Sequence, residues 1–242
     1  MSDSPYETAR FGRSFSRVVV GADAPESVGE ELRTAVDRID SDIIVVRYPT
    51  HLSRLGAVLA STDRRVLPAD TLTYWEVPAA GADADDDDGL EVVIPSLATD
   101  ETLEVLRAVI RDSFSGYGNH YTANPELDPE LALAGYVEWA ERAYAADPHH
   151  VVLLNHGGVT VGLATLTANE TDLEIELAGM TAASQGHGWY GSLLRGVRRE
   201  AVRRGLRRVI ISTQVSNVRV QRAWVRAGFK PFAAVNTCHL VH

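Results

Sequence analysis

The stretch Gln185-Gly186-His187-Gly188-Trp189-Tyr190-Gly191-Ser192-Leu193-Leu194 decides how this chain is read. It follows a strand-like run, Leu173-Glu-Ile-Glu-Leu-Ala-Gly-Met180, and leads into a helical pattern with Leu193, Leu194 and Val197 on its inner side. Glycine lets the main chain come close to a ligand and adopt dihedrals closed to other residues, while the first turn of a helix leaves N–H groups without partners. A glycine-rich strand-to-helix turn is therefore a site for an anion, and a diphosphate would satisfy several adjacent N–H groups. Turns of this composition also arise for packing alone, so the residues around it have to decide.

Downstream, the helix carries Arg195, Arg198, Arg199 and Arg203 outward, and Val209–Thr213 reads as a buried strand. Asn217 caps a helix from Val218 to Ala227 that stops at Gly228, and two final strands are expected at Pro231–Ala234 and Thr237–Val241. Upstream, a strand at Leu90–Ile94 precedes a helix from Thr99 to Ser113, and a second helix spans Pro129–Ala145. Three strands follow, Val151–Leu154, Thr160–Thr167 and Leu173–Met180, the first two joined as a hairpin by Asn155-His-Gly-Gly158.

Two features of this half bear on chemistry. The loop Ser115-Gly-Tyr-Gly-Asn-His-Tyr-Thr-Ala-Asn-Pro125 offers Tyr117, His120 and Tyr121 either to a ligand or to the core, and both readings stand. Glu174 and Glu176 alternate with apolar residues, so they are expected on one strand face, as a proton acceptor or as an exposed edge. Gly179 predicts a bulge or a close backbone approach.

The first 80 residues read as a loose end over 1–13 and then a β-α-β-α-β unit, with strands at 15–20, 42–47 and 71–77. No chemistry is concentrated there. The run PAAGADADDDDG over 78–89 is too polar and self-repelling to pack, and its aspartates lack the preorganisation of a metal site. The expected organisation is a small α/β domain over 1–80, an acidic linker over 81–89 and a second domain over 90–242.

Of 242 residues, 45% are hydrophobic and 23% charged, as in ordinary globular proteins. The net charge of −10 is uneven: residues 1–150 hold 28 acidic and 12 basic side chains, residues 151–242 hold 5 and 11. A basic C-terminal part suits an anionic ligand, whereas the acidic total argues against nucleic acid. Lys230 is the only lysine beside 22 arginines, and acid excess with arginine in place of lysine resembles the composition of salt-adapted, haloarchaeal proteins. The single cysteine, Cys238, excludes an internal disulfide and a cysteine-built zinc site, and no metal is expected. No apolar run is long enough to cross a bilayer and the start has no signal-peptide core, so a cytoplasmic location without membrane contact is expected.

The order of elements from Leu90 to His242, together with three motifs, one of them the acidic strand with Glu174 and Glu176 ahead of the glycine turn, resembles the GNAT acetyltransferases. Gln185-x-x-Gly188-x-Tyr190 resembles the family's Gln/Arg-x-x-Gly-x-Gly/Ala pyrophosphate loop, with Tyr190 departing from the small last position and Gly191 beside it. Asn217-x-x-Val220-x-x-x-Trp224-x-x-x-Gly228-Phe229 is similar to the family's asparagine helix, with Trp224 where many members have tyrosine. Within the family, Thr213-Gln-Val-Ser-Asn217 and the 115–125 loop are most similar to dTDP-fucosamine acetyltransferase and related amino-sugar N-acetyltransferases.

The resemblance implies an α/β (α+β) acyl-CoA N-acyltransferase fold, a mixed central sheet flanked by helices, and acetyl-CoA as cofactor. It implies cofactor contacts at Ala178, Gly179, Met180, Gln185, Gly186, His187, Gly188, Trp189, Tyr190, Gly191, Asn217 and Trp224. The acceptor is a small-molecule primary amine, with a nucleotide-linked amino sugar as first expectation and Tyr117, His120 and Tyr121 as its contacts. Glu174 or Glu176 would take the amine proton, and Tyr190 or His239 would replace the missing tyrosine as acid. A non-catalytic acyl-CoA-binding regulatory module is the alternative that Trp224 favours. The oligomeric state is open, a homodimer included.

Overall fold

Among the described residues ten strands form one sheet, and the places where distant segments enter it create the site. The computed structural model describes residues 2–81 and 89–242; the aspartate run expected as a linker lies outside the described residues. The chain starts with β1 (Ser2–Asp3) and α1 (Pro5–Phe11), the helix opened by Pro5 and closed by Gly12 at φ 65°. Residues 2–13 are therefore not the loose end expected. Tertiary contacts hold α1: Glu7 is 3% exposed and accepts from Arg17 Nε at 2.9 Å, and Arg10 pairs with Glu138.

The chain continues through β2 (Phe15–Val19), α2 (Gly29–Asp37), β3 (Ile43–Pro49), α3 (Leu55–Ala60) and β4 (Arg65–Pro78). Then come β5 (Leu90–Val93), α4 (Asp100–Phe114), α5 (Pro129–Ala146), β6 (Val151–His156), β7 (Val159–Ala168) and β8 (Asp172–Met180). The last elements are α6 (Tyr190–Arg203), β9 (Arg208–Gln214), α7 (Val218–Arg226) and β10 (Lys230–Val241). The caps predicted from sequence are present: Thr99 Oγ1 accepts from Thr102 N at 3.1 Å, Asn217 Oδ1 accepts from Val220 N, and Gly228 follows α7 at φ 84°.

The sheet order is β1-β2-β3-β10-β4-β9-β8-β7-β6-β5, with β2–β3 and β8–β9 parallel and the other pairs antiparallel. Two expectations change here. The two final strands are one, β10, which bends at bulges near Pro231/Ala233 and Thr237/Cys238 instead of breaking. The N-terminal unit is not a closed β-α-β-α-β motif either, because β10 lies between β3 and β4. Ile43 to Val46 of β3 are all buried, so both faces of the sheet are covered there, and β3 pairs with β2 on one side and β10 on the other. The sheet thus runs through both parts of the chain, with β4 seated between β9 and β10.

Helices cover both faces. On one, α2 and α3 close over Ile44, Val46, Cys238 and Leu240, and α6 with α7 bury Trp75, Leu173, Ile175, Leu194 and Trp224. On the other, α4 and α5 bury Leu163 and Leu177, while α1 and the loop after α4 pack over Phe15 and Val45. No helix of the described residues is long and apolar enough to cross a membrane.

Candidate active site

The parallel pair β8–β9 is joined only from Asp172/Arg208 to Ile175/Ile211. Beyond that point β8 stays on β7 as far as Met180/Gly162, while β9 stays on β4 as far as Gln214/Leu72. The strands part where β8 carries an extra residue: Thr165 faces Leu177 and Leu166 faces Ile175, which leaves Glu176 as a bulge. A bulge bends its strand and increases its twist. It also explains why Ile175 packs towards α6 and Leu177 towards α4. Gly179 is not the bulge; it is the close approach, since a Cβ there would sit 2.7 Å from Ser113 Cβ on α4.

The gap between the strands opens into a cleft of about 1250 Å³ that passes through the sheet. At its α6 end is the glycine turn. Gly186 and Gly188 have φ of 90° and 83°, a region that other residues rarely enter. Among the described residues, the backbone N–H groups of Gly186, His187, Gly188, Trp189 and Tyr190 donate to no acceptor, and they sit at the N-terminus of a 14-residue helix. Five consecutive donors at the positive end of a helix dipole form a built anion site. The turn is braced on two sides. Gln185 Nε2 donates to Met180 O at 3.4 Å and its Oε1 accepts from Arg219 at 3.1 Å, while Trp189 stacks between His187 and His156 at 4.7 and 4.4 Å. The Gln185 and Trp189 side chains therefore fix the turn, and the main chain is left as its binding surface.

Ala178, Gly179 and Met180 line the gap opposite Thr213, Gln214 and Asn217. Asn217 Nδ2 donates to Thr213 Oγ1 at 3.1 Å, so this side chain both caps α7 and fixes the cleft wall. Trp224 is 1% exposed, and its Nε1 donates to the Tyr190 hydroxyl at 3.1 Å. Tyr190 thus accepts from the indole and keeps its own proton free for the cleft that it lines. Burial pushes its pKa up to about 12, against the lowering effect of the Trp224 bond.

On the α4 side, Glu174 and Glu176 both line the cleft. Burial raises the Glu174 pKa above the usual carboxylate range, and the charge of Glu176 raises it further. Tyr117 bonds Thr213 Oγ1 at 3.0 Å and also Gln214, closing the wall between the loop and β9. Tyr121 bonds Glu7 and accepts from Arg17 at 3.0 Å. His120 lies 2.9 Å from His239 through their ring nitrogens. These three loop residues line the cleft with their polar ends already held by protein. His239 does not line it: it is fully buried, takes a second contact from Asn124 at 3.3 Å, and burial lowers its pKa to about 4. The structure therefore separates His239 from Tyr190, the other residue expected to act as acid.

The N-terminal elements, read from sequence as free of chemistry, supply part of the cleft wall: Glu7, Arg10, Arg17, Arg47, Asp70 and Tyr74. No local signal marks them, because their position depends on β10 entering between β3 and β4. Among the described residues there is no group of three or more side chains able to hold a metal ion.

The Acetyltransferase (GNAT) family model matches residues 109–229, half of the chain. A comparison with curated protein sequences finds no match. Among solved structures, a GCN5-related N-acetyltransferase from Sphaerobacter thermophilus is 16% identical with a TM-score of 0.58, over 81% of this chain and 59% of that one. This chain thus spans less than two thirds of that protein's length. One from Kribbella flavida is 16% identical with a TM-score of 0.53, over 94% of this chain and 80% of that one. A glucosamine N-acetyltransferase region of a fungal multi-domain β-N-acetylglucosaminidase is 10% identical with a TM-score of 0.55, over 81% of this chain and 25% of that one. At these identities the likeness is one of fold, and the family assignment comes from the model that matches the cleft segment itself. That segment holds the parted strands, the glycine turn and the capped helix α7, and with them the chain belongs to the GNAT acetyltransferase family, whose acyl donor is acetyl-CoA.

Proposed function

We propose that the chain transfers an acetyl group from acetyl-CoA to a small-molecule primary amine by direct attack. One observation carries this: a single cleft joins five unpaired N–H groups, suited to a diphosphate, to a half-buried carboxylate of raised pKa. The residues fit the cofactor. The 186–190 turn would hold the diphosphate, and the free main-chain edge of Ala178–Met180 would hold the pantetheine. When bound, acetyl-CoA supplies an activated acetyl group with a sulfur leaving group. The rest is done by the chain. The amine attacks in its neutral form, and Glu174 accepts the one proton that nitrogen sheds as the amide forms, its raised pKa narrowing the gap between carboxylate and amine. Tyr190 keeps its proton at neutral pH and donates a hydrogen bond towards the leaving sulfur. A phenol near 12 is a weaker acid than a thiol near ~8.5, so this bond stabilises negative charge without completing a proton transfer. Trp224 positions the phenol and is itself no acid.

Nucleotide-linked amino sugars fall within the class, supported by the Thr213–Asn217 and loop motifs. Release of free CoA thiol from acetyl-CoA, followed across pools of amines, tests the reading. Turnover in an amine-dependent manner, reduced about tenfold or more by Tyr190→Phe, is the expected result. Tight CoA binding with no thiol release in any pool would instead identify a regulatory acyl-CoA-binding module.

A further inference from the structure

Three strands place Arg47, Thr237 and Asp70 side by side: Arg47 of β3 faces Thr237 of β10, which faces Asp70 of β4. All three carry an orphan. Arg47 Nε, Thr237 Oγ1 and Asp70 Oδ1 are buried atoms without a hydrogen-bond partner. Buried polar groups are nearly always paired, and although Arg10, Ser113 and Thr165, among others, carry further orphan atoms, Arg47, Thr237 and Asp70 are three in one row of the sheet, which points to a shared polar ligand. Arg47 and Asp70 both line the acceptor end of the cleft. They are near enough to influence each other, yet they form no ion pair, although the neighbouring Arg17 and Arg10 are each paired with a glutamate. Burial raises the Asp70 pKa, which a bound cation would reverse. Tyr74, on the same strand as Asp70, feels the charges of both Arg47 and Glu174, so the row and the proposed base belong to one compartment.

A guanidinium with an orphan Nε calls for an oxyanion, and Asp70, which Gln214 also hydrogen-bonds, has an orphan Oδ1 that calls for an N–H or O–H donor. Together they are neutral and match a zwitterion. A nucleotide diphosphate would bring at least two negative charges beside the Asp70 carboxylate, whereas a zwitterion brings one charge of each sign. Resting on the transferase reading above, we propose that the acceptor is an α-amino acid with a second primary amine: carboxylate on Arg47, α-ammonium on Asp70, distal amine at Glu174. The step balances without an oxidant or reductant. A C–N bond forms, a C–S bond breaks, one proton passes from nitrogen to Glu174, and the sulfur leaves with the electron pair.

The test titrates the full chain, saturated with CoA, with lysine and ornithine and with cadaverine and putrescine, the same diamines without the carboxylate. Acetyl transfer to each is followed in parallel. The amino acids are expected to bind about 30-fold more tightly than the diamines, the range of a charge-assisted bidentate pair. Arg47→Met should reduce that preference to below about threefold without changing CoA affinity, Arg47→Lys should retain part of it, and the product should carry its acetyl group on the distal nitrogen. Equal affinity for both sets in the wild type, or an Arg47→Met that weakens both equally, overturns the proposal. Tight Arg47-dependent binding without transfer supports the head-group site and overturns the transferase reading. Transfer to an amino sugar, with no binding of the amino acids, does the reverse.

Discussion

Glutamine at position 174 keeps the size and hydrogen-bonding reach of the side chain but cannot take a proton. Glu174 sits on the strand edge where β8 leaves β9, half-buried, with its pKa raised by burial and by Glu176. A positioned general base contributes roughly 10²–10⁴ in rate, so Glu174→Gln should lower kcat/KM about 100-fold or more. The affinity for acetyl-CoA should stay within twofold, because the glycine turn is untouched. The pH profile gives the sharper readout. Only ionised Glu174 accepts a proton, so wild-type activity rises with pH through its pKa, and Glu174→Gln removes that limb. Glu176→Gln removes a like charge, lowers the Glu174 pKa and moves the limb to lower pH, with less than about a tenfold loss at the optimum. Stopped thiol-release assays from pH 5 to 9 on the three proteins would show this. Glu174→Gln within threefold of wild type, or a limb shifted to higher pH by Glu176→Gln, would refute the assignment of the base.

Gly188→Ala meets no atom at its Cβ but must hold φ 83°, so it should cost about 1–2 kcal/mol of stability and weaken CoA binding about tenfold, as read by denaturant melts and calorimetry. The buried His239, flanked by His120, Asn124, Arg17, Arg47 and Glu7, has a folded pKa of about 4 against about 6.5 unfolded. Its contribution is complete above pH 6.5 and is lost as pH falls towards 4, up to about 3 kcal/mol; His239→Asn should flatten this part of the stability curve, and an unchanged curve would contradict it. Arg47→Met removes a half-buried guanidinium whose Nε has no hydrogen-bond partner and should raise the melting temperature, the reverse of the usual core substitution. The acid excess predicts a melting temperature that rises by at least about 5 °C between 0.1 and 2 M KCl, and a flat response would count against salt adaptation.

What was legible in the sequence was local. Gly186, Gly188 and Gly228 mark positive φ, Asn217 and Thr99 mark caps, and each signal is complete within four residues. The amphipathic periods of α4, α5 and α6 were legible for the same reason. What stayed hidden depends on pairing across the chain. Arg47 and Asp70 become neighbours only through Thr237, about 190 residues beyond the first, and neither has a local pattern distinct from a solvated charge. His239 looked available as an acid because sequence does not reveal that His120 and Asn124 enclose it. Polar residues 1–13 gave no helix signal strong enough to stand alone, and α1 forms against Arg17 and Glu138. The Tyr190–Trp224 pair lay between: both departures from the family pattern were visible, but not that one donates to the other.

The most direct test is a crystal structure of the chain with CoA bound. The account predicts the diphosphate on the N–H groups of Gly186 to Tyr190, with the pantetheine in the gap between β8 and β9. A diphosphate anywhere else, or a gap closed by renewed pairing of β8 with β9, would contradict it.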